Sequence, residues 1–175
     1  MSNEAMPALH VYRVLFLCTG NSARSIMAEA LLNTIGKGRF QAFSAGSHPT
    51  GKVNLFAIEK VKSLSYPTDQ LRSKNWDEFA KAGTTPMDMI ITVCDNAAGE
   101  VCPVWPGHPA TAHWSFSDPT AVAGSDEVKR RAFDLICRQI QIRVQLLVNL
   151  KPEQLDKLTL SSALKKIADS TASAQ

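Results

Sequence analysis

Apolar residues along this chain fall into short continuous runs separated by stretches with helical spacing. Val11 to Leu17 is almost wholly apolar with a β-branched start, which predicts a strand buried on both faces. Ala28, Leu31, Leu32 and Ile35 follow at helical spacing, and Gly36 and Gly38 predict that helix's end. Phe40 to Ser44 reads as a second strand, stopped by Ala45-Gly46. Leu55, Ile58, Val61 and Lys62 predict a second helix capped by Asn54, and Trp76 with Phe79 a short amphipathic one. Met87 to Val93 predicts a third strand ending at Cys94, followed by a long loop with Pro103, Pro106, Gly107 and Pro109. Thr111 to Trp114 reads as a fourth, short strand. Ser125 caps a long helix with Asp126 and Glu127 in its first turn, where carboxylates suit the helix dipole. Its apolar stripe is Phe133, Ile136, Cys137, Ile140, Val144 and Leu147, which makes Cys137 a core residue.

Strands alternating with helices predict an α/β fold, a parallel sheet covered on both faces, with ligand sites just past the strand ends. Residues 1–10 are expected to be a disordered lead-in and residues 11–150 a single domain ended by Lys151-Pro152. Residues 151–175 are expected to form a helical tail through Leu155, Leu158, Leu164 and Ile167, disordered from Ser170.

Composition narrows the setting. The 175 residues, 45% hydrophobic and 20% charged, suit one ordinary globular core. A net charge of +3 without a Lys/Arg block argues against nucleic-acid binding, and no apolar run is long enough to span a membrane. Four Cys without a secretory leader predict reduced thiols in a cytoplasmic protein.

Chemistry concentrates in Cys18-Thr-Gly-Asn-Ser-Ala-Arg24-Ser25, placed between the first strand and a helix expected to begin near Ala23. Thr19, Gly20, Asn21, Ser22 and Ala23 would form a tight loop whose backbone N–H groups, with the helix N-terminus, bind a tetrahedral oxyanion. Arg24 offers a planar fork to two of its oxygens. The same field is expected to favour the thiolate of Cys18, the form that acts as nucleophile, with Ser25 adding a hydroxyl hydrogen bond. Cys94 and Cys102, with seven residues between them, read as redox partners, as zinc ligands or as inert thiols. Asp118 precedes Pro119 and so favours an extended backbone, suited to a carboxylate projecting from a loop. His113 reads as a packed or hydrogen-bonded neighbour rather than a catalyst.

The loop resembles the phosphate-binding loop of the low-molecular-weight protein tyrosine phosphatase superfamily. Cys94, Cys102-Pro103 and Asp118-Pro119 narrow the resemblance to the thiol-relay arsenate reductases of that fold, over roughly Val11 to Leu150. It implies a three-layer, four-stranded parallel sheet. It also implies arsenate as substrate, Cys18 as nucleophile with Arg24 and Ser25, Asp118 as general acid, and a disulfide relay through Cys94 and Cys102. No tightly bound cofactor is implied; thioredoxin, or glutaredoxin with glutathione, would return the electrons. In some relatives a potassium ion binds at the positions of Asn21, Glu29 and Ser44; here Lys74 stands where a further carboxylate is expected, and its ammonium would replace the cation. Two departures stand out: relatives usually have one residue fewer between the paired Cys, and many have a second Cys at the position of Ala23. The alternatives are a tyrosine phosphatase, though Thr120-Ala121 replaces the usual aromatics after Asp-Pro, and a non-enzymatic oxyanion- or redox-responsive protein.

Overall fold

The computed structural model describes residues 10–100 and 102–172. The expected lead-in up to residue 9, Val101 in the loop between the paired Cys, and the last three residues lie outside that description. Four strands, β1 (Tyr12–Cys18), β2 (Phe40–Gly46), β3 (Met89–Thr92) and β4 (Ala110–His113), form one parallel sheet in the order β2-β1-β3-β4. Six α-helices accompany them: α1 (Arg24–Ile35), α2 (Leu55–Ser63), α3 (Asp77–Ala80), α4 (Asp95–Gly99), α5 (Asp126–Val148) and α6 (Lys157–Ala172). Because β1 lies at the centre, with successive strands added first on one side and then on the other, the chain reverses its order between β1 and β3. That is the position where open α/β sheets leave a crevice.

Alternation along each buried strand divides the core. Val14, Phe16, Met89 and Ile91 face the layer built by α1, α2, α5 and α6, while Leu15, Leu17 and Ile90 face Trp76, Met87 and Trp105 on the other side. Phe16 and Phe133 are fully buried, each worth about 1.5–3 kcal/mol against exposure. The α5 stripe is buried as the spacing predicts, and Arg143 joins it at 8% exposure.

Several boundaries differ from the sequence reading, each for a local reason. β2 runs on through Gly46, because Gly46 pairs with Cys18 and its N–H donates to the carbonyl of Lys74 at 2.9 Å. β3 is limited to Met89–Thr92, the span with partners on both β1 and β4. The expected loop after Cys94 opens with α4, whose N-cap is the Cys94 sulfur, accepting from Ala97 N–H at 3.4 Å. Leu55 caps no core: it is 66% exposed, and Ala57 and Val61 carry the buried face of α2. The tail remains helical through Ala172, beyond the expected break at Ser170. Leu160, Leu164 and Ile167 of α6 are buried, and Trp114 Nε1 donates to the Leu164 carbonyl at 3.3 Å.

Candidate active site

The loop between β1 and α1 is shaped by its carbonyls. Those of Thr19, Gly20 and Ser22 turn outward and accept from the N–H groups of His48, Thr50 and Asn54 at 2.9, 3.0 and 2.9 Å. With these carbonyls engaged outside, the amides point the other way: that of Asn21 bonds the Cys18 sulfur, and the others, with the first turn of α1, suit an anion. Two residues make the turn feasible. Asn21 takes a left-handed conformation with φ 46°, uncommon for a side-chain-bearing residue but tolerated by Asn. Gly46 packs so closely beneath that a Cβ would stand 2.4 Å from the Thr19 oxygen.

Cys18 sits at the base of the loop, 4% exposed. Its sulfur lies 2.9 Å from Ser25 Oγ and accepts the Asn21 N–H at 3.1 Å. One expectation is reversed here. Burial pushes the Cys18 thiol above its ordinary value, and a charge on Cys94 pushes the same way; hydrogen bonds from Ser25 and Asn21 oppose this without overcoming it. The loop's hydrogen bonds and burial thus act on this thiol in opposite directions, burial being the larger.

A cavity of about 230 Å³ opens above the sulfur. Cys18, Thr19, Gly20, Ser22, Ala23 and Arg24 line it from the loop, and Asp118 lines it from the far side. Arg24 Nη1 donates to the Phe116 carbonyl at 2.9 Å, and Nη2 stands 3.7 Å from Asp118 Oδ2. Asp118 Oδ1 accepts from the N–H and hydroxyl of Thr120 at 2.9 and 2.6 Å, which orients Oδ2 toward the cavity side where Arg24 lies. Asn21 and Ser25 are fully buried beneath the loop and brace it.

The paired Cys are placed unequally. Cys94, 2% exposed at the end of β3, lies 3.7 Å from the hydroxyl of Thr19, one residue along from Cys18. Cys102 is exposed and lines a different cavity of about 400 Å³, with Ile90, Thr92, Trp105 and Thr111. Burial and the Glu100 carboxylate both push its thiol upward. All four Cys are free thiols, and Cys137 is buried in the core.

The family model for low molecular weight phosphotyrosine protein phosphatase matches residues 13–159, which takes in the loop, Cys94, Cys102 and Asp118. The chain belongs to that family. Within it, an arsenate reductase of Halalkalibacterium halodurans is 34% identical over 134 residues, covering 75% of this chain and 91% of the relative. The crystal structure of an arsenate reductase from Archaeoglobus fulgidus shares 29% identity with a TM-score of 0.55, over 75% of this chain and 98% of that one. A thioredoxin-dependent arsenate reductase of Corynebacterium glutamicum has 25% identity and a TM-score of 0.52, over 78% and 63% of the two chains.

The residues expected to hold a cation, Asn21, Glu29 and Ser44, are committed to one another here. Asn21 Oδ1 accepts the Lys74 N–H at 2.9 Å, so its amide NH₂ faces Ser25 and Ser44 at 2.9 and 3.0 Å. Ser44 donates onward to Glu29 at 3.3 Å. Asn21, Ser44 and Glu29 thus form a directed hydrogen-bond chain, and Asn21 turns a donor where a cation needs an oxygen. Lys74, 8% exposed, donates from Nζ to the Arg72 carbonyl at 2.9 Å. Burial pushes Lys74 down and Glu29 up, and each one's charge offsets the shift of the other.

One contributor escaped the sequence reading. Arg143 of α5 donates to the Ser115 carbonyl at 3.0 Å and lies 4.5 Å over the Phe116 ring, bracing the segment that carries Asp118. Its signal was its place in the apolar stripe, three residues after Ile140 and four before Leu147. His113 is a hydrogen-bonded neighbour as expected: Nε2 donates to Asp95 Oδ1 at 2.8 Å, and Nδ1 lies 2.8 Å from Thr92 Oγ1, which ties α4 to β3 and β4.

Proposed function

We propose that the protein is an arsenate reductase using Cys18, Cys94 and Cys102 in sequence. The observation that carries this reading is the second buried thiol, Cys94, poised beside the anion loop at the Thr19 hydroxyl. A phosphatase has no use for it, and among the described residues no aromatic side chain lines the cavity to hold an aryl ester.

Arsenate enters the loop formed by residues 19–25, where backbone amides and Arg24 take its oxygens. Because burial favours the Cys18 thiol, its proton passes to the incoming dianion, itself a base. The thiolate attacks arsenic, and Asp118 protonates the departing oxygen through Oδ2, so that it leaves as water. Arsenic remains pentavalent in this adduct. Cys94 then attacks the Cys18 sulfur; the sulfur–arsenic electron pair stays on arsenic, which departs as trivalent arsenite, and a Cys18–Cys94 disulfide forms. Cys102 attacks Cys94, releasing Cys18 as thiolate and leaving a Cys94–Cys102 disulfide. That last bond requires Cβ atoms about 3.5–4.5 Å apart, so α4, which separates the two Cys, unwinds to make it. An external dithiol, thioredoxin or glutaredoxin with glutathione, reduces the product. The cycle needs a reducing compartment, hence a cytoplasmic setting.

Lys74 serves in place of a monovalent cation beneath the loop. Potassium is expected to leave the melting temperature unchanged; a clear potassium-dependent rise contradicts this.

The test of the function is arsenite production from arsenate with thioredoxin, thioredoxin reductase and NADPH. Sustained turnover is expected. Turnover only with glutathione and glutaredoxin would reassign the reductant, and no arsenite with either system would overturn the reading.

A further inference from the structure

The short helix α4 is clasped at both ends. At its start Asp95 Oδ1 accepts from His113 and from Ser115 Oγ at 2.9 Å. At its end Glu100, the C-cap, reaches back to the anion loop and accepts from the Thr19 hydroxyl through Oε1 at 3.0 Å. The two clasps differ in kind. The first ties α4 to the sheet; the second places a carboxylate against a residue that lines the oxyanion cavity. The second clasp is also incompletely satisfied. Among the described residues, the buried Glu100 Oε2 has no hydrogen-bond partner, and His48 Nδ1 is 4.0 Å away on a side chain that is 79% exposed. A buried carboxylate oxygen without a donor is costly, so this contact lies close to giving way.

We propose that Glu100 couples the oxyanion site to the segment carrying Cys102: its carboxylate closes α4 onto Thr19, and a bound oxyanion opens that clasp by like-charge repulsion. The argument is electrostatic. Thr19 lines the cavity and its hydroxyl holds the Glu100 carboxylate, so an oxyanion there brings negative charge to the residue that Glu100 leans on. Two negative groups sharing one residue as neighbour in partly buried surroundings repel. The loop is cross-braced through its carbonyls and cannot yield, whereas α4 has five residues and two clasps. The yielding of Glu100 frees the chain between Cys94 and Cys102, which is the stretch that has to unwind for their disulfide. It also moves a negative charge away from Cys102, whose thiol that charge holds upward. Substrate binding would thereby arm the third thiol, and the Cys94–Cys102 pair stays apart while the oxyanion site is empty. Glu100 touches no reacting atom in this scheme; it is a positioning residue. The coupling rests on the oxyanion-site reading of the loop.

By reciprocity, a carboxylate that an anion displaces must oppose the anion's binding by the same factor. The test uses the full-length reduced protein with inorganic phosphate as a probe that cannot be reduced, and reads phosphate affinity by calorimetry and α4 amide exchange by mass spectrometry. Phosphate is expected to speed α4 exchange several-fold in the wild type. Glu100→Gln should bind phosphate about fivefold to tenfold more tightly, the lower end of ordinary coupling, and its α4 exchange should no longer respond. Glu100→Asp keeps the charge and should stay near wild-type affinity. Wild-type affinity in Glu100→Gln, or α4 exchange that is unchanged or slowed by phosphate in the wild type, overturns the coupling alone. A wild-type protein that binds no phosphate overturns the oxyanion site and the coupling with it.

Discussion

The anion loop and the Cys94–Cys102 segment both carry thiols, yet they are built on opposite principles. The loop is over-determined: its carbonyls are held from outside, Asn21 and Ser25 are buried beneath it, and Gly46 leaves no space for movement. The segment has a five-residue helix, one exposed thiol and a carboxylate oxygen lacking a donor. Binding and attack demand preorganised donors, since any reorganisation at the moment of reaction adds to the barrier. Passing a disulfide along demands a chain that moves. The division of rigidity therefore follows the division of labour.

The largest expected effect isolates the chemistry from both regions. Asp118→Asn should slow adduct formation by about 10²- to 10⁴-fold, the usual worth of a general acid, while phosphate binding and melting temperature stay near wild type. Stopped-flow measurement of arsenate consumption checks it; an unchanged rate removes Asp118 from the reaction. The next attacks the rigidity of the loop. Gly46→Ala places a Cβ against the Thr19 oxygen and the Asn21 nitrogen, both backbone atoms, so the loop itself must shift. A cost of about 1–3 kcal/mol, typical of overpacking, corresponds, where it falls on the bound geometry, to a loss of roughly fivefold to 150-fold in phosphate affinity. Full affinity in this variant would mean that the loop is far softer than its bonding implies.

The smallest effect sharpens the electrostatics. Burial raises the Cys18 thiol, so its alkylation by iodoacetamide should increase with pH through a midpoint above the ordinary thiol value. Ser25→Ala removes a hydrogen bond that lowers it, and should move the midpoint further up. The linkage has a definite sign: the folded state binds this proton more tightly, so the stability contribution is present below the unfolded thiol's pKa and is lost as pH rises through the folded one. A midpoint below the ordinary value, or a downward shift in Ser25→Ala, contradicts the burial argument.

The same contrast explains what could be read from the sequence. β1, the loop and α1 were legible because their elements are consecutive: an apolar run, small polar residues, then a helical stripe. Cys18 and Arg24 needed no distant partner to be noticed. The bracing that makes the loop rigid was hidden, since His48, Thr50 and Asn54 contribute through backbone N–H groups that leave no side-chain signature. α4 was hidden for another reason. Five residues cannot display a helical period, and its N-cap is a Cys, a residue seldom read as a cap. Arg143 looks like a solvent position until the fold brings residues 115–118 against α5, and the partner of His113 is named only once Asp95 meets β4.

The central claim is that Cys102 acts last, so that its removal spares the first turnover and stops the second. The direct measurement is a single-turnover reaction of Cys102→Ser with excess arsenate, followed by peptide mass spectrometry. The account predicts about one arsenite per protein, an accumulated Cys18–Cys94 disulfide, and stalling in the presence of thioredoxin. Repeated turnover with thioredoxin, or arsenite release without that disulfide, would contradict it.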